Sequence, residues 1–159
     1  MKSIASILIV AAAILAPLGL AAADKDPTFI VADKSAERSQ LPFSDAVLAG
    51  GTLYVSGTLG LDPKTMGDPK TARVPEDPAV EARLVMEAVK HTAEAAGYKM
   101  GDFVSIQVFC TDLALYGAFN DIYRSYFNGH FPARAFIGVD KLVRGARFEV
   151  MGTAVKGAH

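Results

Sequence analysis

Arg134 and Glu149 are the side chains whose types and setting suit small-molecule chemistry in this sequence. A guanidinium is a permanent cation whose planar fork matches a carboxylate, and a carboxyl group can take up and return protons. Phe131-Pro132 ends a helix, because proline biases the residue before it away from the helical region. In the run that follows, Ala135, Ile137 and Val139 share one strand face, and Arg134, Phe136 and Gly138 share the other. A second alternating run, Arg147-Phe148-Glu149-Val150, sets Phe148 and Val150 opposite Arg147 and Glu149. If the two strands are neighbours, Arg134 and Glu149 approach where the apolar faces end, and a small carboxylate can bind beside an acid/base group. The competing reading of the same two residues is a structural ion pair.

Other chemistries find little support. The three histidines, His91, His130 and His159, lie far apart, and the single cysteine, Cys110, excludes an intramolecular disulfide. No zinc spacing and no cofactor motif is present, so neither a metal nor a cofactor is expected. Cys110 falls on the apolar side of a strand and reads as a small buried hydrophobe. A net charge of −1 provides no broad basic field for nucleic acid.

The first 23 residues read as a secretory signal peptide. Lys2 precedes the uncharged run Ile4 to Leu15, Pro17 and Gly19 break it, and Ala21-Ala22-Ala23 offers small residues for cleavage. The alternative is an uncleaved anchor, since the apolar stretch approaches the length of a membrane span. Cleavage near Ala23/Asp24 predicts a periplasmic or secreted protein without stable membrane association, folded as one domain over residues 24–159.

Phe29-Ile30-Val31 is a short edge-strand candidate, and Ala46–Ala49 and Thr52–Ser56 flank a Gly50-Gly51 turn as a hairpin. Gly57 to Pro75 reads as loop. Asp77-Pro78 opens a helix that Gly97 stops, with Ala82, Val85, Val89 and Ala93 as its core stripe. Glu81, Glu87, Lys90 and Glu94 read as its solvated face. Asp102 to Asp112 is a strand with Val104, Ile106, Val108 and Cys110 on one side. A second helix spans about Leu115 to Phe127, with Leu115, Phe119, Ile122 and Tyr126 inward and Tyr116, Tyr123 and Phe127 widening that stripe. Final strands lie around Arg134 to Val139 and Ala146 to Lys156. The order predicts an α+β fold of about six strands in a mixed sheet, with both helices on one face. The second face, with Phe136 and Met151 as candidate members, then needs an oligomer to cover it.

Several stretches, taken together and in order, resemble the RidA/YjgF family of enamine/imine deaminases from about Phe43 to Val155. They are Leu53-Tyr54-Val55-Ser56-Gly57-Thr58-Leu59-Gly60, Glu94-Ala95-Ala96-Gly97-Tyr98, Phe103 to Phe109, Asn120-Asp121-Ile122-Tyr123 and Phe131-Pro132-Ala133-Arg134. No single piece is specific, but the ordered set is. The resemblance implies a chorismate-mutase-like fold, usually a homotrimer with sites in the clefts between subunits. It implies hydrolysis of 2-imino acids, tautomers of enamines such as 2-aminoacrylate, to 2-keto acids and ammonia. Arg134 matches the arginine that holds the substrate carboxylate, and Glu149, fifteen residues later, matches the glutamate that positions or activates water. Asn120 matches a recurrent helix asparagine, and Ser56 and Gly57 match the Ser-Gly of the loop facing the cleft.

The chain also departs from the family pattern. Pro42-Phe43 stands where the family has Pro-Tyr, Thr58 and Gly60 replace a glutamine and a proline, and Phe136 replaces a frequent cysteine. These changes bear on substrate choice more than on reaction class. The other functional class to weigh is an exported trimer that binds a small carboxylate or a protein partner without turnover.

Overall fold

The computed structural model describes residues 26–32, 41–65 and 71–157. The signal-peptide reading of residues 1–23 and part of the loop read from Gly57 to Pro75 lie outside them. Eight elements follow in order: β1 (Thr28–Ile30), β2 (Ala46–Ala49), β3 (Thr52–Leu59), α1 (Pro78–Ala95), β4 (Phe103–Cys110), α2 (Tyr116–Arg124), β5 (Ala133–Gly138) and β6 (Phe148–Val155).

Local chemistry accounts for the boundaries. Gly50 and Gly51 both take positive φ (55° and 80°), as the tight turn between β2 and β3 requires. The Asp77 side chain caps α1 by accepting from Ala79 N–H at 2.8 Å, with Pro78 in the first turn. At the other end Gly97 sits at φ 78°, its N–H bonds to Glu94 O, and the Tyr98 N–H reaches back to Ala93 O. That pair of bonds is the Schellman stop. The second helix is shorter than its periodicity predicts. Leu115 belongs to a preceding 3-10 turn, and the Ser125 hydroxyl donates to Ile122 O at 2.7 Å where the helix closes.

The strands form one six-stranded sheet in the order β1-β2-β3-β6-β4-β5. β4 and β5 run parallel, joined by the α2 crossover, and every other pairing is antiparallel. Both helices cover one face, with α1 on β3 and β6 and α2 against α1. Leu53, Ile106, Val108, Val150 and Phe119 are fully buried in the layer between, each contributing about 1.5–3 kcal/mol of transfer free energy. The α+β layer and its two helices on one face are thus as the pattern predicts. Among the described residues, no helix is long and apolar enough to cross a membrane.

Two bulges redirect side chains that simple alternation misplaces. Between Phe103 and Ser105, β4 advances two residues while β6 moves from Ala154 to Thr153. Val104 is the extra residue and turns outward, and Phe103 takes the buried place expected of it. On β3, Val55 pairs with Gly152 but Thr58 with Val150, so a bulge falls at Ser56-Gly57. The strand continues through it to Leu59, where the glycine content predicts loop.

Candidate active site

Arg134 stands on β5 opposite Ile106 of β4, so its side chain lies on the helix-covered face, under α2. Its guanidinium carbon sits 4.6 Å from the ring centre of Tyr123 and 5.7 Å from those of Tyr116 and Phe136. Aromatic faces hold a cation electrostatically without occupying its N–H donors as a carboxylate would. No carboxylate pairs with Arg134 among the described residues. The guanidinium opens on a cleft of about 230 Å³ lined by Tyr116, Asn120, Tyr123, Phe131 and Pro132. Asn120 is therefore in the same cleft as Arg134.

Tyrosine chemistry in this cleft is uneven. The Tyr116 phenol is held below its ordinary pKa by a hydrogen bond from Asn120 and by the charge of Arg134. Burial pushes the Tyr123 phenol up to about 12, against the pull of Arg134, and its hydroxyl has no hydrogen-bond partner among the described residues. Periodicity assigns both rings to the core. Only the i, i+4 spacing of Tyr116 and Asn120 hints that they stand together over the strand that carries Arg134.

Glu149 is elsewhere. It pairs with Leu59 on β3 and Phe109 on β4, between the buried Phe148 and Val150, and so faces away from the helices. Its carboxylate lies over the β3 bulge: a Cβ placed on Gly57 would come within 2.0 Å of Glu149 Oε1. Gly57 is thus a glycine because the carboxylate occupies the space a side chain would need. Ser56, next to it, donates its hydroxyl to Ser44 O at 2.8 Å and lines a groove with Pro42, Phe43, Val47 and Phe29.

The expected meeting of Arg134 and Glu149 does not occur within one chain. Their strands are not neighbours, because β4 lies between them, and the two side chains project from opposite faces of the sheet. The seven residues singled out from sequence divide between the two sides of the sheet. Arg134, Asn120 and Phe136 lie on the helix side, and Glu149, Gly57, Ser56 and Phe43 lie towards the open side. Phe136 is also corrected. It packs edge-on against Tyr116 (5.0 Å) and Phe119 (5.5 Å) under α2, whereas Met151 does lie on the open face.

Glu81 overturns the reading of α1's charged face. It is fully buried, and its Oε1 accepts from the N–H groups of Arg147 (2.7 Å) and Phe148 (3.0 Å). Its Oε2 accepts from Arg147 Nε at 2.7 Å, and Arg147 Nη2 donates to Pro75 O. Arg147 precedes β6 and turns to α1 instead of joining Glu149 on the open face. The other expectations for titratable side chains stand. Cys110 is buried, its thiol donates to Asp112 O, and burial pushes its pKa up. His91 is exposed.

Known proteins share much of this sequence and its fold. The rat protein named 2-iminobutanoate/2-iminopropanoate deaminase is 36% identical over 115 residues, which is 72% of this chain and 80% of that one. The crystal structure of RidA from the Antarctic bacterium Psychrobacter superposes with a TM-score of 0.66 at 33% identity, covering 73% of this chain and 89% of that one. E. coli TdcF, crystallised with bound serine, gives a TM-score of 0.65 at 30% identity over 74% of this chain and 90% of that one. Residues 34–156 match the family described as Endoribonuclease L-PSP. The chain belongs to that family, the RidA/YjgF family.

Proposed function

We propose that this protein hydrolyses 2-imino acids to 2-keto acids and ammonia, at a site built from the Arg134 half-site of one copy and the Glu149 half-site of another. The observation that carries the reading is Arg134, a guanidinium seated on aromatic rings, open to a cleft and without a carboxylate partner among the described residues. Such a group is preorganised for a small anion, which a fork of N–H donors holds in bidentate geometry. The name of the rat relative and the serine bound to TdcF support a small substrate of amino-acid type.

The chemistry needs no redox step. With the substrate carboxylate on Arg134, water adds to the imine carbon: its oxygen bonds to carbon, its proton leaves to the Glu149 carboxylate, and the C=N π electrons move to nitrogen, which takes that proton from Glu149 to give the carbinolamine. The carbinolamine then collapses. The hydroxyl proton passes through Glu149 to nitrogen, the C–N bond breaks towards nitrogen to release ammonia, and the keto group forms. Glu149, held over Gly57, is the group that passes protons in both directions.

A homotrimer is the assembly we propose. The open face carries Tyr54 and Met151, 53% and 37% exposed, on strands with no helix above them, and a second copy covers such a face while bringing its own half-site. Met151→Glu is expected to yield monomer by light scattering. The apolar Phe43 and Phe136, one in each half-site, favour a substrate bulkier than the smallest imines. A carboxylate-binding protein without turnover is the second reading that these two residues keep open. The export reading of residues 1–23 belongs to the same proposal, and N-terminal sequencing of the periplasmic or secreted protein should start near Asp24.

The deciding assay uses imino acids made in situ by an amino-acid oxidase and followed by semicarbazide trapping. Wild type should accelerate imine loss, and Arg134→Ala and Glu149→Ala should not. No acceleration across small, branched and aromatic imines by the folded oligomer would refute the deaminase and leave the binding protein.

A further inference from the structure

We infer that Tyr116 is a specificity-determining residue: its hydroxyl donates a third hydrogen bond to the ligand carboxylate held by Arg134. This rests on the reading of Arg134 as a carboxylate holder. Tyr116 is the first residue of α2, and Asn120 follows one turn later on the same helix face. Both line the Arg134 cleft, and Tyr116 is about half exposed there.

The donor chemistry of the two side chains makes Tyr116 a partner for an anion. The Arg134 guanidinium carbon lies 5.7 Å from the centre of the Tyr116 ring, and both residues line the cleft with Asn120. A phenol carries one O–H donor beside its acceptor lone pairs, whereas an arginine has donors only, so arginine cannot take up the phenolic proton and the O–H remains to meet an acceptor in the cleft. An anion seated on the guanidinium brings such an acceptor to the same cleft. Asn120 and the positive charge of Arg134 also hold the phenol below its ordinary pKa, which makes its O–H a stronger donor. The ring itself is fixed independently, edge-on to Phe136 at 5.0 Å and 88°. Removing the oxygen alone therefore leaves the cleft wall in place.

The test compares wild type and Tyr116→Phe, in the full oligomer, for binding of 2-ketobutyrate and of its methyl ester by calorimetry. Affinity for the keto acid should fall about tenfold in the variant, the size of a hydrogen bond to a charged group. Affinity for the ester, which has no carboxylate, should be the same in both proteins. In turnover, KM should rise by a similar factor with kcat little changed. Equal affinity of the two proteins for the keto acid would overturn the proposal, as would an equal loss for acid and ester, the mark of a merely structural ring. A fall in kcat with unchanged KM would assign the hydroxyl to another atom of the substrate and overturn it too. A wild-type protein that binds no keto acid refutes the carboxylate reading of Arg134 and this proposal together, which separates that failure from the failure of Tyr116 alone.

Discussion

Arg147 and Arg134 stand at the starts of two strands in one sheet, and their surroundings are opposites. Arg147 is closed: a fully buried glutamate on α1 takes its Nε, and a loop carbonyl takes its Nη2. Arg134 rests on rings that leave its donors directed at a cleft. The glutamates divide in the same way. Glu81 accepts three hydrogen bonds from the residues that begin β6, whereas Glu149, on the open face two residues past Arg147, lies over a glycine. One Arg–Glu set thus ties helix, loop and strand together, and the other is kept apart and available. The two sets differ in whether the charge is already answered inside the chain.

Breaking the closed set should have the largest effect. Glu81→Ala strands the Arg147 guanidinium and two backbone N–H groups, and should cost about 3–5 kcal/mol in urea unfolding, as removal of one partner of a buried pair does. On the open set, Gly57→Ala should spare folding but displace the Glu149 carboxylate, lowering kcat/KM about 10²-fold in the imine assay. Gly60→Ala returns to the closed set. Its Cβ would meet Glu81 O at 2.3 Å and Val85 N at 2.9 Å, so a loss of about 1–3 kcal/mol is expected from thermal unfolding. The smallest effect should come from Asp77→Ala, which removes the cap of the turn that carries Glu81, at about 1 kcal/mol by the same measurement. Its imine turnover should be unchanged.

The helix ends and the hairpin were legible because each is set by residues within one turn: Asp77-Pro78, Gly97, Gly50-Gly51. Alternation identified the buried rows of β6, and it failed at Val104 because a bulge inserts a residue, which no local pattern announces. Glu81 was misread for a related reason. A glutamate on a helix face looks solvated until strand order brings Arg147 and the start of β6 beneath it, across 66 residues of sequence. Arg134 and Glu149 are the charged members of their strands, but their faces depend on β6 lying between β3 and β4. Phe136 followed the same dependence, to the helix side with Arg134.

The central claim is that one chain holds two incomplete half-sites, and mixing two inactive proteins tests it most directly. Arg134→Ala and Glu149→Ala would be unfolded together, refolded as a one-to-one mixture and assayed for imine hydrolysis. Sites completed between copies predict recovery of about a quarter of the wild-type rate, since random assembly of a closed ring pairs an intact Arg134 with an intact Glu149 in that share of clefts. A mixed oligomer as inactive as either parent would contradict the account.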